Sequence, residues 1–267
     1  MKVSFFKYSY LYLLSPFIII ASTSALAIEQ SSKKINLGLG SYYYEGDYQL
    51  DDPVYTWVQV LSGHYQVGAW KLGIKAPYLH QEGPRYQVSD SDPDLPFEID
   101  VSRQTRSGWG DPIYSASYSW PQNHSMNRWS VMATYKSPIA NEDDGLSNGR
   151  QELNTYVSNT TRIQRWIVNI RTGYLLREAK HDRNNATRWM LQLGGLYFLS
   201  NRSALGAALY HRSQLAHETQ TVRQVMTMAR YRMTPHWQAG AQFGVGLTDD
   251  SPDHMVGLQL QYKFRYH

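Results

Sequence analysis

Trp237-Gln238-Ala239-Gly240-Ala241-Gln242-Phe243-Gly244-Val245-Gly246-Leu247 sets an apolar side chain at every second position, with only Gln and Gly between. After the polar tip Thr248-Asp249-Asp250-Ser251-Pro252 the alternation resumes with Val256, Leu258, Leu260, Tyr262 and Phe264, interleaved with Gly257, Gln259, Gln261 and Lys263. A period of two sorts side chains onto the two faces of a pleated strand. Each run exceeds the usual strand of about 5–6 residues and approaches the roughly 9–11 that cross a bilayer at a tilt. One face suits hydrocarbon and the other water or polar filling. That is the pattern of a transmembrane β-barrel.

Composition agrees. Mean hydropathy is −0.51, and no apolar run outside the N-terminus reaches the roughly 18 residues of a membrane-spanning helix. A barrel reconciles a polar average with membrane residence, because only alternate residues meet lipid. The chain has no cysteine, which excludes disulfide frameworks and thiolate metal sites. Its 21 tyrosines and 8 tryptophans suit membrane–water boundaries. Residues 1–27 read as a secretion signal: Lys2 and Lys7 lead, Leu11 to Ala21 form the apolar centre, and Ala25-Leu26-Ala27 is a small-x-small cleavage site. Export combined with membrane strands implies the outer membrane of a Gram-negative bacterium, since inner membranes hold helices.

The pattern predicts one domain over residues 28–267, an all-β, antiparallel up-and-down transmembrane barrel of about twelve strands. The expected strands are Ile35–Tyr44, Pro53–Ser62, Ala69–Leu79, Trp109–Trp120, Arg128–Lys136, Arg150–Thr160, Arg165–Leu176, Thr187–Phe198, Ser203–Arg212, Val222–Met233, Trp237–Leu247 and Val256–Phe264. A turn is expected around His64 to Val67, and a long polar segment from His80 to Ser107. Connections alternate short and long, as in barrels with short periplasmic turns and longer external loops, which puts both termini in the periplasm.

Trp70, Trp120, Trp129, Trp166, Trp189 and Trp237 fall in the outward register near strand ends, as a membrane girdle would. Charge is segregated as well. All but Glu29, Asp111 and Glu152 of the 22 acidic residues lie in the six long connections. Inward strand positions carry Lys71, Lys75, Arg128, Lys136, Arg165, Arg171, Arg188, Arg230, Arg232 and Lys263. Such a lumen lowers the barrier to anions; the same cations can instead fill the barrel and pair with Asp111, Glu152 or loop carboxylates. Without Lys2 and Lys7 the formal +4 falls to +2, too little to argue for nucleic acid.

Ser107-Gly108-Trp109-Gly110-Asp111 resembles the Ser-Gly-x-Gly-Asp strand opening of the outer-membrane family named after the meta-pathway of phenol degradation. Lys75-Ala76-Pro77 before a long loop is similar to the same family. So is Asp250-Ser251-Pro252-Asp253 before a last strand ending Tyr262-Lys263-Phe264. Pro112 after the Asp, and Arg265-Tyr266-His267 after the terminal aromatic, depart from the pattern. The resemblance implies a barrel assigned to transport and leaves its solute open.

The expected function is passive passage of a small solute, aromatic or anionic, through a basic lumen. The expected partners are that solute, outer-membrane lipids and lipopolysaccharide, and the barrel-assembly machinery during biogenesis. Two other readings compete. Outer-membrane phospholipase A and lipid A deacylase resemble each other in a lipid-facing His-x-Ser pair, with His as general base. His211 and Ser213 have that spacing, and Ser147-Asn148-Gly149-Arg150 is similar to the phospholipase's Ser-Asn-Gly-Arg, but Gly145 stands where its histidine would be. Such a pair arises easily by chance in a serine-rich chain and no third residue orients it, so no catalytic residue is assigned. The other reading is a structural or adhesive barrel with a plugged lumen. Asp90-x-Asp92-x-Asp94 opens like a calcium loop, but Pro93 interrupts it and Val101 stands where a bidentate Glu is needed. With no phosphate-cradling glycine loop and no zinc spacing, no metal or cofactor is expected.

Overall fold

The computed structural model describes residues 33–47, 52–84, 103–120, 126–141, 144–178, 186–213 and 221–266. The signal segment and the Asp90–Asp94 run lie outside them. Thirteen strands follow in order: β1 Lys33–Gly46, β2 Val54–Val67, β3 Trp70–Pro84, β4 Arg103–Trp109, β5 Ile113–Ser119, β6 Asn127–Lys136, β7 Glu152–Ile163, β8 Trp166–Arg177, β9 Ala186–Phe198, β10 Ser203–Arg212, β11 Val222–Arg232, β12 Trp237–Gly246 and β13 His254–Tyr266. All ladders are antiparallel between neighbours, and β1 pairs with both β2 and β13, closing the ring. Closure leaves no free edge around most of the barrel.

β4 and β5 are two halves of one barrel strand. Tyr78 of β3 pairs with Trp109, and Lys75 pairs with Ile113. Ala76 and Pro77 therefore face the three residues Gly110, Asp111 and Pro112, a one-residue bulge. An extra residue inverts the parity of everything beyond it. Trp109 and Tyr114 accordingly both face outward despite their odd and even numbers. Asp111, which unbroken alternation from Trp109 would send to lipid, is fully buried inside. β4 has β3 as its sole ladder partner among the described residues.

The outer surface is apolar. The six girdle tryptophans are 39–54 % exposed. Rings cluster at two levels. At the end with the short turns, Trp70–Tyr118, Trp166–Tyr197 and Trp237–Tyr262 have centroids 5.0, 4.9 and 4.8 Å apart. At the end with the long connections stand Tyr43–Trp57 at 4.9 Å and Trp189 against His211 at 4.4 Å. Along β2 the two belts are represented by Trp57 and Tyr65. Eight residues at about 3.3 Å each, tilted by about 40°, separate them by roughly 20 Å, near the height of a barrel's apolar band.

The interior departs from the sequence expectation in its half nearest the long connections. Tyr42, Val58, Val60, Tyr156, Met190 and Met226 point inward there and pack into a buried cluster. On β2, Val58 and Val60 lie inside while Gln59 is outside. Inward glycines, read in the sequence as water-facing, make room for this cluster. A Cβ on Gly257 would stand 2.5 Å from the Tyr42 ring, and one on Gly244 would stand 2.8 Å from Met255.

Candidate functional site

Two features occupy the lumen. The first lies toward the end with the long connections. Residues 137–141, which follow β6, and 144–151, which lead into β7, lie over the bulge, and Leu146, Ser147 and Asn148 are buried. Gly145 supplies the left-handed turn (φ 68°) that this path needs. Leu146 fills the space above Gly108, where a Cβ would lie 2.4 Å from its Cδ1. The Ser147 hydroxyl donates to Asp111 Oδ2 at 2.7 Å, and the Ala140 N–H donates to Oδ1 at 3.1 Å. Lys136 Nζ stands 3.3 Å from Asp111 and 3.5 Å from Glu152, and donates to Asn148 Oδ1 at 2.5 Å. Arg177 Nε lies 3.3 Å from Glu152 Oε1, and Asn148 Nδ2 donates to the same oxygen at 3.0 Å. Two carboxylates thus face two cations, and each charged group has polar neighbours, the condition under which buried ion pairs are tolerated.

These contacts give the Ser-Gly-x-Gly-Asp stretch a physical reading. Ser107 faces outward and hydrogen-bonds His80 Nδ1 at 2.6 Å. Gly108 admits Leu146, and the Gly110 N–H donates to Pro77 at 2.8 Å with Leu79 pressed close. Asp111 anchors the inward segment. Pro112 has no N–H, yet its carbonyl accepts from Ser137 at 3.1 Å and carries the ladder past the bulge.

The second feature is a chamber of about 620 Å³ at the short-turn end. Lys71 and Lys75 of β3, Arg128 of β6, Arg162 of β7 and Arg171 of β8 line it, with Ser115, Ser117, Ser130, Ser158 and Thr160 between them, and among the described residues no carboxylate does. Ile113, Met132 and Thr134 close its deep end, and residues 198–201 form part of its mouth. Arg171 lies 5.7 Å above the centroid of Tyr156, a cation–π contact that fixes its direction.

Of the remaining inward cations read from sequence, Arg165 and Arg232 stand exposed at the chamber mouth. Lys136 belongs to the ion-pair cluster, and Arg188 is buried in the opposite half. Lys263 donates to Gln238 at 3.2 Å beside a smaller cavity, and Arg230 is half-buried outside the chamber. The sequence reading missed His64, placed in a turn but carried inward by the continuing β2. It also missed Arg177 and Arg212, assigned to loop and strand ends but both buried. The signal for His64 was present: Leu61, Tyr65 and Val67 keep the outward parity of β2 beyond Ser62.

His211 and Ser213 do not form a dyad. His211 Nδ1 accepts from Arg223 at 3.4 Å, while the Ser213 hydroxyl oxygen accepts the Trp189 N–H at 3.1 Å. Ser147 and Asn148 are committed to Asp111 and Lys136.

A closed ring of twelve antiparallel strands, apolar outside and bounded by two aromatic belts, defines a transmembrane β-barrel of the outer-membrane kind. Residues 54–264 match the family described as "Putative MetA-pathway of phenol degradation", and the chain belongs to that family. The fold is similar to the COG4313 outer membrane channel from Pseudomonas putida F1, with a TM-score of 0.60 and 16 % identity over 89 % of this chain and 97 % of that one. It is also similar to the KdgM porin, with a TM-score of 0.53 and 10 % identity over 86 % and 99 % of the two chains. The NanC porin gives 0.51 and 12 % over 86 % and 100 %. No curated protein matches by sequence.

Proposed function

We propose that this chain is an outer-membrane transporter passing small solutes, aromatic or carboxylate-bearing. In this reading the basic chamber is its inner compartment and the docked segment its outer closure. The carrying observation is the chamber itself, lined by lysine and arginine side chains and, among the described residues, by no carboxylate. Such a lining favours anions over cations at every point of a narrow path. Family membership and the channel or porin names of the similar structures support transport. Residues 1–27 serve as a removed signal and 28–267 as the barrel. The short-turn end and both termini face the periplasm, and the aromatic belts contact outer-membrane lipid and lipopolysaccharide. The barrel-assembly machinery inserts the chain.

The test is conductance in planar bilayers. Wild type is expected to conduct little, Asp111→Ala more, and both with anion preference. Lys75→Met with Arg171→Gln is expected to reduce that preference. Absence of conductance in wild type and Asp111→Ala alike would sink passage and leave a filled, structural barrel.

A further inference from the structure

We propose that Lys71, Lys75 and Arg171 form a saturable binding site for one organic oxyanion, a carboxylate or a phosphate ester with an apolar portion. This deepens the passage reading and rests on it for the claim that a solute reaches the chamber.

Three observations carry it. The first is charge without countercharge. Among the described residues, neither ammonium group, nor the Arg171 guanidinium, has a hydrogen-bond or ion-pair partner, whereas Lys136 and Arg177 a few residues along the axis stand against carboxylates. Lys75 lies close enough to both Lys71 and Arg171 to be repelled by each. Like charges turned toward one enclosed space weaken the fold unless an anion joins them, so the arrangement is costly as filling and useful as a receptor.

The second observation is the supply of neutral donors. The Ser115 hydroxyl has no hydrogen-bond partner among the described residues, and the hydroxyls of Ser130 and Ser158 share one bond of 2.7 Å. Hydroxyls beside ammonium groups complete the coordination of an oxyanion, because each oxygen accepts more than one hydrogen bond. The third is shape. The chamber volume falls in the usual range of about 300–1,000 Å³ for small-ligand sites. Ile113 and Met132 give its deep end an apolar surface against which a ring or short chain can lie. Gly73 keeps it open: a Cβ there would stand 2.6 Å from the His64 ring and 2.7 Å from Ser115 Oγ.

The experiment is calorimetric titration of the purified full-length protein in detergent with benzoate, phenyl phosphate, inorganic phosphate and neutral benzamide, alongside thermal melts. Saturable one-to-one binding of an anion, absent for benzamide, is expected. Lys75→Met and Arg171→Gln should each weaken it at least about tenfold, as for loss of a charge-assisted hydrogen bond. Lys75→Arg should keep most of it, and Gly73→Val should weaken it without removing charge. The relative affinities of benzoate, phenyl phosphate and inorganic phosphate assign the headgroup and show whether the apolar part contributes.

The melts distinguish a receptor from a filler. Anion should raise the wild-type melting temperature by mass action, and Lys75→Met without anion should melt no lower than wild type. A destabilised Lys75→Met, equal binding of benzamide and benzoate, or undiminished binding by both charge variants overturns the proposal. Anion-selective conductance without saturable binding removes the site and leaves passage intact. Saturable binding without conductance removes passage and leaves the site.

Discussion

Replacing Asp111 by Ala should release the inward segment while the barrel persists. The fully buried carboxylate holds Ser147 at 2.7 Å, the Ala140 N–H at 3.1 Å and Lys136 at 3.3 Å. Breaking a buried pair by removing one partner usually costs about 3–5 kcal/mol, because the other charge is stranded. Here Lys136 keeps Glu152 at 3.5 Å and the Asn148 oxygen, so the low end applies. About 3 kcal/mol corresponds to a shift of roughly 150-fold in the ratio of docked to released segment. Amide hydrogen exchange of the reconstituted protein reads that ratio directly, since protection follows the free energy of local opening. The Leu146 amide, bonded to the Asn141 carbonyl, should exchange on the order of 10²-fold faster, while amides of β12 and β13 keep their protection. Unchanged exchange at Leu146 would show that Asp111 does not anchor the segment. Equal acceleration in every strand would show that it acts on the whole barrel instead.

Gly108→Val should reproduce part of that release without touching a charge, because its side chain claims the space of Leu146; exchange at Leu146 again reports it. Leu258→Arg, at an outward position 61 % exposed near the middle of β13, should cost about 2–4 kcal/mol in lipid and much less in a polar micelle. Equal loss of stability in both media would contradict a lipid-facing Leu258. Gln164 holds a left-handed turn conformation (φ 51°) between β7 and β8, so Gln164→Gly should stabilise the hairpin by about 1 kcal/mol in urea titrations. Ser213→Ala should remove the bond to the Trp189 N–H and nothing else. Fatty-acid release from phospholipid or lipid A that disappears in this variant would restore the enzyme reading.

The barrel was legible because its outer face obeys one rule along every strand. β12 and β13 were readable because apolar residues hold one parity through Trp237–Val245 and Val256–Phe264 while Gln, Gly and Lys hold the other. Interior chemistry followed no such rule. β2 was ambiguous because Val58 and Val60 enter the buried cluster while Gln59 faces outward, which reverses the polarity expected of a pore. The bulge left a trace in the sequence: Trp120 is expected outward in a strand running Trp109–Trp120, and Trp109, of the opposite parity, faces outward as well, which unbroken alternation does not allow. Charge segregation identified Asp111 and Glu152 as exceptional carboxylates. Their pairing with Lys136 and Arg177 depends on how β6, β7 and β8 and residues 144–151 come together, a long-range matter that local periodicity does not encode.

The bulge opposite Ala76 and Pro77 ties the Asp111 anchor to the length of the chain. Excising Gly110 would straighten the ladder and leave every other residue in place. The Asp111 carboxylate would then be paired against Pro77 or Ala76 in a regular sheet, and on one of those alignments it emerges among acyl chains. A buried anchor and an insertion defect are thus separated by one peptide unit, and shortening this strand by a single codon is a harsher change than most substitutions within it.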